Sequence, residues 1–323
     1  MNILEVYDLT KFYGDFKAVC GITFTVKKGE VFGLLGPNGA GKTTTINMLT
    51  GLALPTQGRV VYSGTDYTHN IKKAQHLMGV VPDESNLYPE LTGLENLCFC
   101  GALYGLKKAE RRAKAEFLFE QFGLKDAKDK KFSAYSRGMK RRLTIAAGII
   151  HDPPILFLDE PTTGIDVASA RQIRNILKDM NKKGTTIFLT THYIEEAERL
   201  CDRVAFIVEG KIIEVDYVDE LIHPVKDRNI LILTISGVSD GLEEKLSSIL
   251  PGFRCKRLSD SDIRIESDRA FRTGHIIRIM EEAGIDVMEA KRMRATLEDV
   301  FVEVTGIEAQ EMKKEKEKKA QEG

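Results

Sequence analysis

A glycine-rich segment, Gly36–Thr44, constrains this chain more than any other part of its 323 residues. It reads G-P-N-G-A-G-K-T-T, follows the apolar run Val31–Leu35 and precedes Thr45–Leu49, whose apolar residues have helical spacing. A strand, a glycine loop and a helix in this order are the context that a phosphate-binding P-loop requires. A chance glycine-rich turn is the alternative, and the flanking strand and helix patterns argue against it.

The residue types in this loop predict a site for the phosphates of a nucleotide. Its glycines let backbone N–H groups curl around phosphate oxygens, and the helix that begins near Lys42 points its positive dipole end the same way. The Lys42 amine adds a charge for the β- and γ-phosphates, and the Thr43 hydroxyl is placed to ligate Mg²⁺. The candidate nucleotide-binding residues of this loop are Gly36, Pro37, Asn38, Gly39, Ala40, Gly41, Lys42, Thr43 and Thr44.

Strand and helix patterns alternate along most of residues 1–225, which predicts a nucleotide-binding α/β domain with a largely parallel sheet. The first two strand patterns, at 3–8 and 19–27, are separated by Lys11–Gly14. Together with a hairpin pattern at 204–215, these strands are expected to add an antiparallel edge to the sheet.

Residues of about 84–150 carry mainly helical patterns and predict a helical insert within this domain. The first of these patterns, Thr92–Tyr104, opens with a capping box formed by Thr92 and Glu95. The insert therefore has a well-defined helical start.

The pattern resets near His223, and the strands and helices that follow predict a small α+β accessory domain at 226–305. Residues 306–323 form a tail rich in lysine and glutamate. Such a charge run predicts a solvated, frayed helix or disorder, and contact with a membrane or nucleic acid is the alternative.

Composition limits the partners that the chain can have. A formal net charge of −1 offers no global positive field for a polyanion, so no nucleic-acid partner is expected. The longest apolar stretches, around 97–106 and 230–235, are too short to span a bilayer, so a membrane role would need spans from another chain. Five scattered cysteines suggest a reducing compartment.

A second element, Ile155–Leu158 followed by Asp159 and Glu160, places two carboxylates at the end of an apolar strand. Because the carboxyl edge of a parallel sheet lies beside the P-loop, Asp159 is expected to ligate Mg²⁺ with Thr43. Glu160, one residue further, can orient the attacking water and accept its proton. A solvated pair of acids ending a strand is the alternative.

Two further elements are candidate parts of the site when they are considered together with the P-loop and the acidic pair. His192 ends another apolar strand, where it could hydrogen-bond the γ-phosphate and hold the water and Glu160 in line; a solvent-facing cap is the alternative. Ser136 and Gly138 begin a basic amphipathic helix, which predicts a serine N-cap and another anion site, or simply an ordinary capped helix.

In order and spacing, these segments resemble the motifs of ABC ATPases. The matching segments are Gly36–Thr43, Ser136-x-Gly138, Leu156–Glu160, Thr163–Asp166 and His192. The resemblance covers about residues 2–220, and the chain is similar to the ATP-binding subunit of an ABC transporter. It implies a P-loop NTPase fold that hydrolyses ATP with Mg²⁺, in which Glu160, His192 and Lys42 are the catalytic residues.

The resemblance also implies a homodimer of nucleotide-binding domains. ATP would lie between the P-loop of one copy and Ser136, Arg137, Gly138 and Met139 of the other. Asp166 would lie in the loop that crosses the dimer interface. Tyr13 matches the aromatic residue that stacks on adenine in this family, with Val19 beneath it; packing within the domain is the alternative for Tyr13.

A subunit of this kind would work with integral-membrane permease subunits, as a cytoplasmic protein held on the cytoplasmic face of the cell membrane. Apolar residues of the insert suit the docking of short permease helices, or they fill the insert's own core. These residues are Leu87, Tyr88, Pro89, Leu91 and Leu94. The segment Thr296–Phe301, with Val304–Gly306, resembles the tail of drug-export-type ABC ATPases and implies an exporter.

Two positions depart from the family pattern. Asp83 stands where a glutamine is usual, and its carboxylate could ligate Mg²⁺ through water. The segment Tyr135–Met139 replaces the usual Leu-Ser-Gly-Gly-Gln, so the polar group of its last residue is missing.

The alternative function is a soluble ABC-type ATPase that acts on nucleic acid or ribosomes. The sequence has one P-loop and no sustained heptads, whereas such relatives carry two nucleotide domains or a long coiled-coil insertion. A GTPase would carry an Asn-Lys-x-Asp motif that reads the base, and this sequence has none.

Overall fold

The computed structural model describes residues 1–226, 228–236 and 242–307. They form two compact units, one comprising Met1–Val218 with the chain after Glu303, the other comprising Asp219–Glu303. The predicted division at 225/226 thus has a counterpart at 218/219. Most of the predicted charged tail, 308–323, lies outside the described residues.

The first unit contains ten strands among the described residues, and they are listed here in chain order. They are β1 (Asn2–Tyr13), β2 (Phe16–Lys27), β3 (Val31–Leu35), β4 (Gln57–Tyr62), β5 (Thr65–Asp66), β6 (Met78–Val81), β7 (Ile155–Asp159), β8 (Thr186–Thr191), β9 (Arg203–Val208) and β10 (Lys211–Tyr217). The helices up to the unit boundary are α1 (Lys42–Thr50), α2 (Gly93–Leu103), α3 (Lys108–Gln121), α4 (Arg137–Gly148), α5 (Val167–Lys182), α6 (Ile194–Leu200) and α7 (Val218–Ile222). Short 3₁₀ turns of this unit cover Ile71–Leu77, Lys125–Ala127 and Phe132–Ala134, and a fourth, His223–Val225, belongs to the second unit.

The central sheet of the first unit has six strands in the order β10-β9-β3-β8-β7-β6. All of its pairs are parallel except β10 with β9, which is the predicted closing hairpin. β3 and β7 are buried along their whole length, as expected for strands covered on both faces. The predicted parallel α/β sheet is confirmed, and the carboxyl ends of β3, β7 and β8 meet at one edge.

The prediction that the first strands join the edge of this sheet is wrong. β1 pairs with β2 and β4, and the three form a separate sheet with β5 in the order β2-β1-β4-β5. The sequence pattern places Lys11–Gly14 between two strands, but β1 runs on to Tyr13 through several register shifts. Aromatic residues at its end favour the strand, and the bulges absorb the mismatch with β2.

The helical insert contains α2, α3 and α4, and its predicted start is confirmed. The Thr92 hydroxyl accepts a hydrogen bond from the Glu95 N–H, and the Glu95 carboxylate accepts one from the Thr92 N–H. The Tyr135 hydroxyl donates to the Ala127 carbonyl across 2.7 Å, which ties the start of α4 to the insert. Tyr135 is buried, so its side chain contributes to packing and is not accessible to a ligand.

The second unit contains β11 (Asn229–Ile235), α8 (Leu242–Ile249), β12 (Arg254–Arg257), β13 (Asp262–Ser267), α9 (Thr273–Glu282), β14 (Val287–Met293) and α10 (Leu297–Thr305), the last of which ends in the first unit's share of the chain. Its antiparallel sheet has the order β12-β13-β11-β14, which with the β-α-β-β-α-β sequence is a ferredoxin-like arrangement. Leu231, Leu233 and Ile265 form its apolar core with residues of α8 and α9. The Arg264 guanidinium pairs with Asp299 and so holds α10.

Candidate functional site

The predicted P-loop runs from the end of β3 to the start of α1, and two of its glycines cannot be replaced without moving the backbone. A Cβ on Gly36 would lie 2.0 Å from the Ile207 carbonyl oxygen, so this position needs a residue without a side chain. Gly41 has φ 100° and a Cβ there would lie 2.6 Å from the Ala18 carbonyl. Gly210 donates its N–H to the Ala40 carbonyl at 3.0 Å, which docks the β9–β10 turn on the loop.

We expect Gly36→Ala to disrupt the unit much more than Gly39→Ala. At Gly39 a Cβ would meet no atom within 4 Å, although its φ of 78° strains any L residue by about 1–2 kcal/mol. At Gly36 the clash is with backbone, and overpacking of this kind adds about 1–3 kcal/mol. A difference of about 1 kcal/mol lowers the midpoint of a unit of this length by about 2–4 °C, so the thermal midpoint, followed by circular dichroism, should be lower by about that much in Gly36→Ala than in Gly39→Ala. Equal midpoints would contradict this assignment.

The three predicted catalytic side chains meet at the edge formed by β3, β7 and β8. The Lys42 ammonium lies 3.4 Å from Oε1 of Glu160, and His192 Nδ1 donates to Oε2 of Glu160 at 2.7 Å. Lys42 also donates to the carbonyls of Gly36 and Pro37 at 2.8 and 3.0 Å. All three side chains are buried, so they hold one another in fixed positions.

The surroundings of Glu160 keep its carboxylate ionised. Burial alone would raise its pKa, but the hydrogen bond from His192 and the charge of Lys42 outweigh burial and lower the pKa below the ordinary value. The Thr163 hydroxyl donates a further hydrogen bond at 2.9 Å. Glu160 also has φ 49°, a left-handed conformation that is unusual for a residue with a side chain. A strained, ionised carboxylate with several donors is a feature typical of catalytic sites.

Of the three oxygen donors predicted for a metal ion, Thr43 follows Lys42 in the chain and Asp159 precedes Glu160, so these two adjoin the cluster. Asp159 is buried at the end of β7 and its Oδ1 accepts a hydrogen bond from the Thr190 hydroxyl. Thr43 is exposed in the first turn of α1, and Asp83 is exposed beside a cavity of about 280 Å³. Carboxylate and hydroxyl oxygens suit Mg²⁺, which needs few protein ligands because it keeps several waters.

The segment Ser136–Met139 begins α4, as predicted. The Ser136 hydroxyl accepts a hydrogen bond from the Met139 N–H at 3.3 Å and caps the helix. Gly138 lies against the start of α5, where a Cβ would come within 2.2 Å of the Ser169 hydroxyl. Asp166 caps α5 by accepting from the Ser169 N–H, which lowers the pKa of Asp166. The structure thus brings Asp166 and Gly138 together, with Ser136 and Arg137 exposed beside them.

The two residues predicted for adenine occupy different environments. Val19 is fully buried in β2, beneath Gly41 of the P-loop. Tyr13 is 50% exposed at the tip of the β1–β2 hairpin, with the Lys11 ammonium 5.0 Å from the centre of its ring. Half of the Tyr13 surface is therefore accessible for stacking.

Of the apolar residues proposed for docking, Tyr88 is 49% exposed and packs edge-on against Phe99. Pro89 is exposed, and Leu91 and Leu94 are half-buried. Leu87 is 7% exposed and belongs to the core, so it cannot contribute to a docking surface. Asn96 holds this loop through hydrogen bonds with the backbone of Tyr88 at 2.8 and 3.0 Å.

Sequence reasoning missed several side chains that support this site. Thr190 donates to Asp159, and Thr163 donates to Glu160. Glu196 is buried and accepts hydrogen bonds from Thr162 and Thr191, and burial raises its pKa. The Thr190-Thr191-His192 run at the end of β8 is the signal that could have found two of these threonines, whereas nothing in the sequence marks Glu196.

The buried cluster of a P-loop lysine, a strand-end acid pair and a histidine defines an ATPase of the P-loop class. The family model for ABC transporters matches residues 19–163. The chain belongs to the ABC transporter family and is an ATP-binding and hydrolysing subunit, as the sequence predicted.

Three comparisons place it within the family. It is 36% identical to the linearmycin resistance ATP-binding protein LnrL of Bacillus subtilis, covering 94% of this chain and 98% of that protein. It is 38% identical to the daunorubicin/doxorubicin resistance ATP-binding protein DrrA of Streptomyces peucetius, covering 94% and 92%. A solved dimer of the ATP-binding cassette MJ0796, in a post-hydrolysis state with ADP and Pi, aligns with a TM-score of 0.62 and 27% identity over 66% of this chain and 98% of that one.

Proposed function

We propose that this chain powers an exporter through a homodimer that encloses two ATP molecules. The observation that carries the proposal is the buried Lys42–Glu160–His192 cluster beside the P-loop. The exposed, capped start of α4 has no such cluster of its own. It offers Ser136 and the free N–H groups of a helix N-terminus to a phosphate of the partner's ATP.

Each residue of the cluster has a defined task in hydrolysis. Lys42 and the loop N–H groups bind the phosphates and stabilise the negative charge that develops on them. Glu160 orients the attacking water and accepts its proton, and His192 fixes the Glu160 carboxylate through Nδ1. Tyr13 offers its exposed ring to the adenine, with Val19 beneath the loop.

Mg²⁺ fits the oxygen donors at this edge. Thr43 and Asp159 would hold the ion, and Asp83 would reach it through water. Bound there, Mg²⁺ neutralises charge on the β- and γ-phosphates. Thr190 orients the Asp159 carboxylate by donating to Oδ1.

The partner in this proposal is an integral-membrane permease that docks near Tyr88 on the cytoplasmic face of the membrane. Within the described residues, no helix has the length and apolar character to cross a bilayer. The names of LnrL and DrrA concern resistance to linearmycin and to daunorubicin and doxorubicin, which supports export of compounds of this kind by this chain's complex.

Transport by the reconstituted complex tests this proposal. The chain would be co-expressed with each multi-span membrane protein found to be encoded near its gene, and inside-out vesicles would be given MgATP and daunorubicin as a fluorescent probe. ATP-driven accumulation is expected, and a Lys42→Ala complex in matched vesicles should accumulate much less of the probe at subsaturating ATP, because its binding of the ATP phosphates is weakened. Vesicles whose complex hydrolyses ATP but does not move this or other amphipathic probes would contradict the export proposal.

A further inference from the structure

One buried side chain connects three parts of the site, and neither its sequence position nor the proposed function assigns it a role. Arg141 lies on α4, one turn beyond the Ser136 cap, and is 8% exposed. Its Nε donates to the Pro161 carbonyl at 3.0 Å, and its Nη2 donates to the Asp159 carbonyl. Its Nη1 donates to the carbonyls of Pro82 and Asp83, the latter at 3.1 Å.

Two of these carbonyls flank Glu160 on either side in the chain. Glu160 has φ 49°, so its backbone occupies a conformation that must be held by its surroundings. The Glu160 N–H donates to the Thr190 carbonyl at 3.2 Å, and the Glu160 carbonyl accepts from Thr163 at 3.3 Å. Arg141 holds the remaining two carbonyls, so the peptide groups around Glu160 are fixed from every side.

The other two carbonyls belong to the segment that carries Asp83. Arg141 therefore joins this segment to the strained turn at Glu160 through one planar group. The guanidinium suits this task because its donors have a rigid, planar geometry, whereas a lysine ammonium acts as a point charge.

We infer that Arg141 is a positioning residue for ATP hydrolysis: it holds the strained backbone of Glu160 and ties it to the segment of Asp83. The inference rests on the proposed role of Glu160 as the group that orients water. The hydrogen bonds of Arg141 described above all go to backbone carbonyls. Its charge also interacts with the nearby carboxylates of Asp83, Asp159, Glu160 and Glu196, and Arg141→Lys keeps that charge. We therefore assign its effect on the chemistry to the positioning of Glu160.

Arg141→Lys tests this inference with Arg142→Lys as a matched control. Arg142 is the next residue of α4 and donates to the carbonyls of Phe122 and Gly123 in the insert, at 2.9 and 3.3 Å. Each substitution keeps the charge and removes the planar set of donors. Purified full-length protein would be assayed for kcat, for the dissociation constant of ATP, and for its thermal midpoint.

Arg141→Lys should lower kcat by about tenfold to a hundredfold, since small misplacements of a catalytic group have effects of that size. The dissociation constant of ATP should stay within about threefold, because the P-loop and Lys42 are untouched. Arg142→Lys should keep kcat within about threefold of wild type. Loss of ATP binding together with kcat and thermal stability in Arg141→Lys would show a merely structural role and overturn the inference.

A second measurement does not depend on turnover. In a Glu160→Gln background, adding Arg141→Lys should leave the ATP-bound dimer intact in size-exclusion chromatography, because positioning is then irrelevant. Loss of that dimer would overturn the inference. A wild-type chain that binds ATP and never hydrolyses it would overturn the proposed function and the inference together, whereas active wild type with equally active Arg141→Lys would overturn the inference alone.

Discussion

Glu160→Gln is expected to bind ATP normally, to hydrolyse it at least about a hundredfold more slowly, and to accumulate as a dimer. General-base groups contribute roughly 10²–10⁴-fold to rates, and the amide keeps the shape of Glu160 without its ability to accept a proton. Binding should survive because Lys42 retains its hydrogen bonds to the carbonyls of Gly36 and Pro37. Single-turnover hydrolysis and size-exclusion chromatography with MgATP measure the two effects.

Glu195→Gln is the matched control, because Glu195 is an exposed residue of α6 that pairs with Arg199. It should behave as wild type in both measurements. Undiminished turnover in Glu160→Gln would remove Glu160 from the mechanism, and slow turnover with no dimer would argue against the proposed sandwich.

The pH dependence of ATP hydrolysis by the wild-type protein should also reflect the role of Glu160. Because the folded pKa of Glu160 is lowered, its carboxylate stays ionised through the neutral range. The stability that this lowered pKa contributes is present above the ordinary glutamate range and is lost as pH falls through the folded pKa. Protonation of Glu160 should therefore leave kcat unaffected until the pH lies below the ordinary range of a glutamate.

The sequence contained enough to predict the fold of the first unit and the grouping of its catalytic residues. Val31–Leu35, Ile155–Leu158 and the run before His192 each read as buried strands, and parallel strands present their ends at one edge. Lys42, Glu160 and His192 follow three such ends, so their meeting was a geometric consequence. The helix caps at Thr92 and Ser136 depend on residues within one turn of each other, so they too could be predicted from the sequence.

Interactions between residues that are distant in the chain could not be predicted from the sequence. The separate sheet of β1, β2 and β4 depends on which strands pair, and the alternating pattern of a strand does not name its partner. Arg141 looked like one of several basic residues on an amphipathic helix. Its burial and its four carbonyl acceptors arise from the packing of α4 against segments about 20 and 59 residues away.

Lys42→Ala should weaken ATP binding by about tenfold to a hundredfold, because a hydrogen bond to a charged group contributes about 1.5–3 kcal/mol. The affinity for ATP should fall much more than the affinity for adenosine, because adenosine has no phosphates and is expected to stack on Tyr13. Without the ammonium 3.4 Å away, the buried Glu160 carboxylate also loses a charge that lowers its pKa. Equilibrium binding of ATP, ADP and adenosine would separate these contributions.

Two further variants test whether the effect of Lys42→Ala is specific to the ammonium group at this position. Lys178→Ala removes an exposed lysine of α5 and should leave all three affinities unchanged. Lys42→Arg keeps the charge, but its larger planar group does not fit a buried position between the carbonyls of Gly36 and Pro37, so ATP binding should be weakened there too. If Lys42→Ala lowered the affinities for adenosine and ATP equally, Lys42 would be supporting the loop's shape and not gripping phosphate, and the assignment of this edge as the phosphate site would have to be given up.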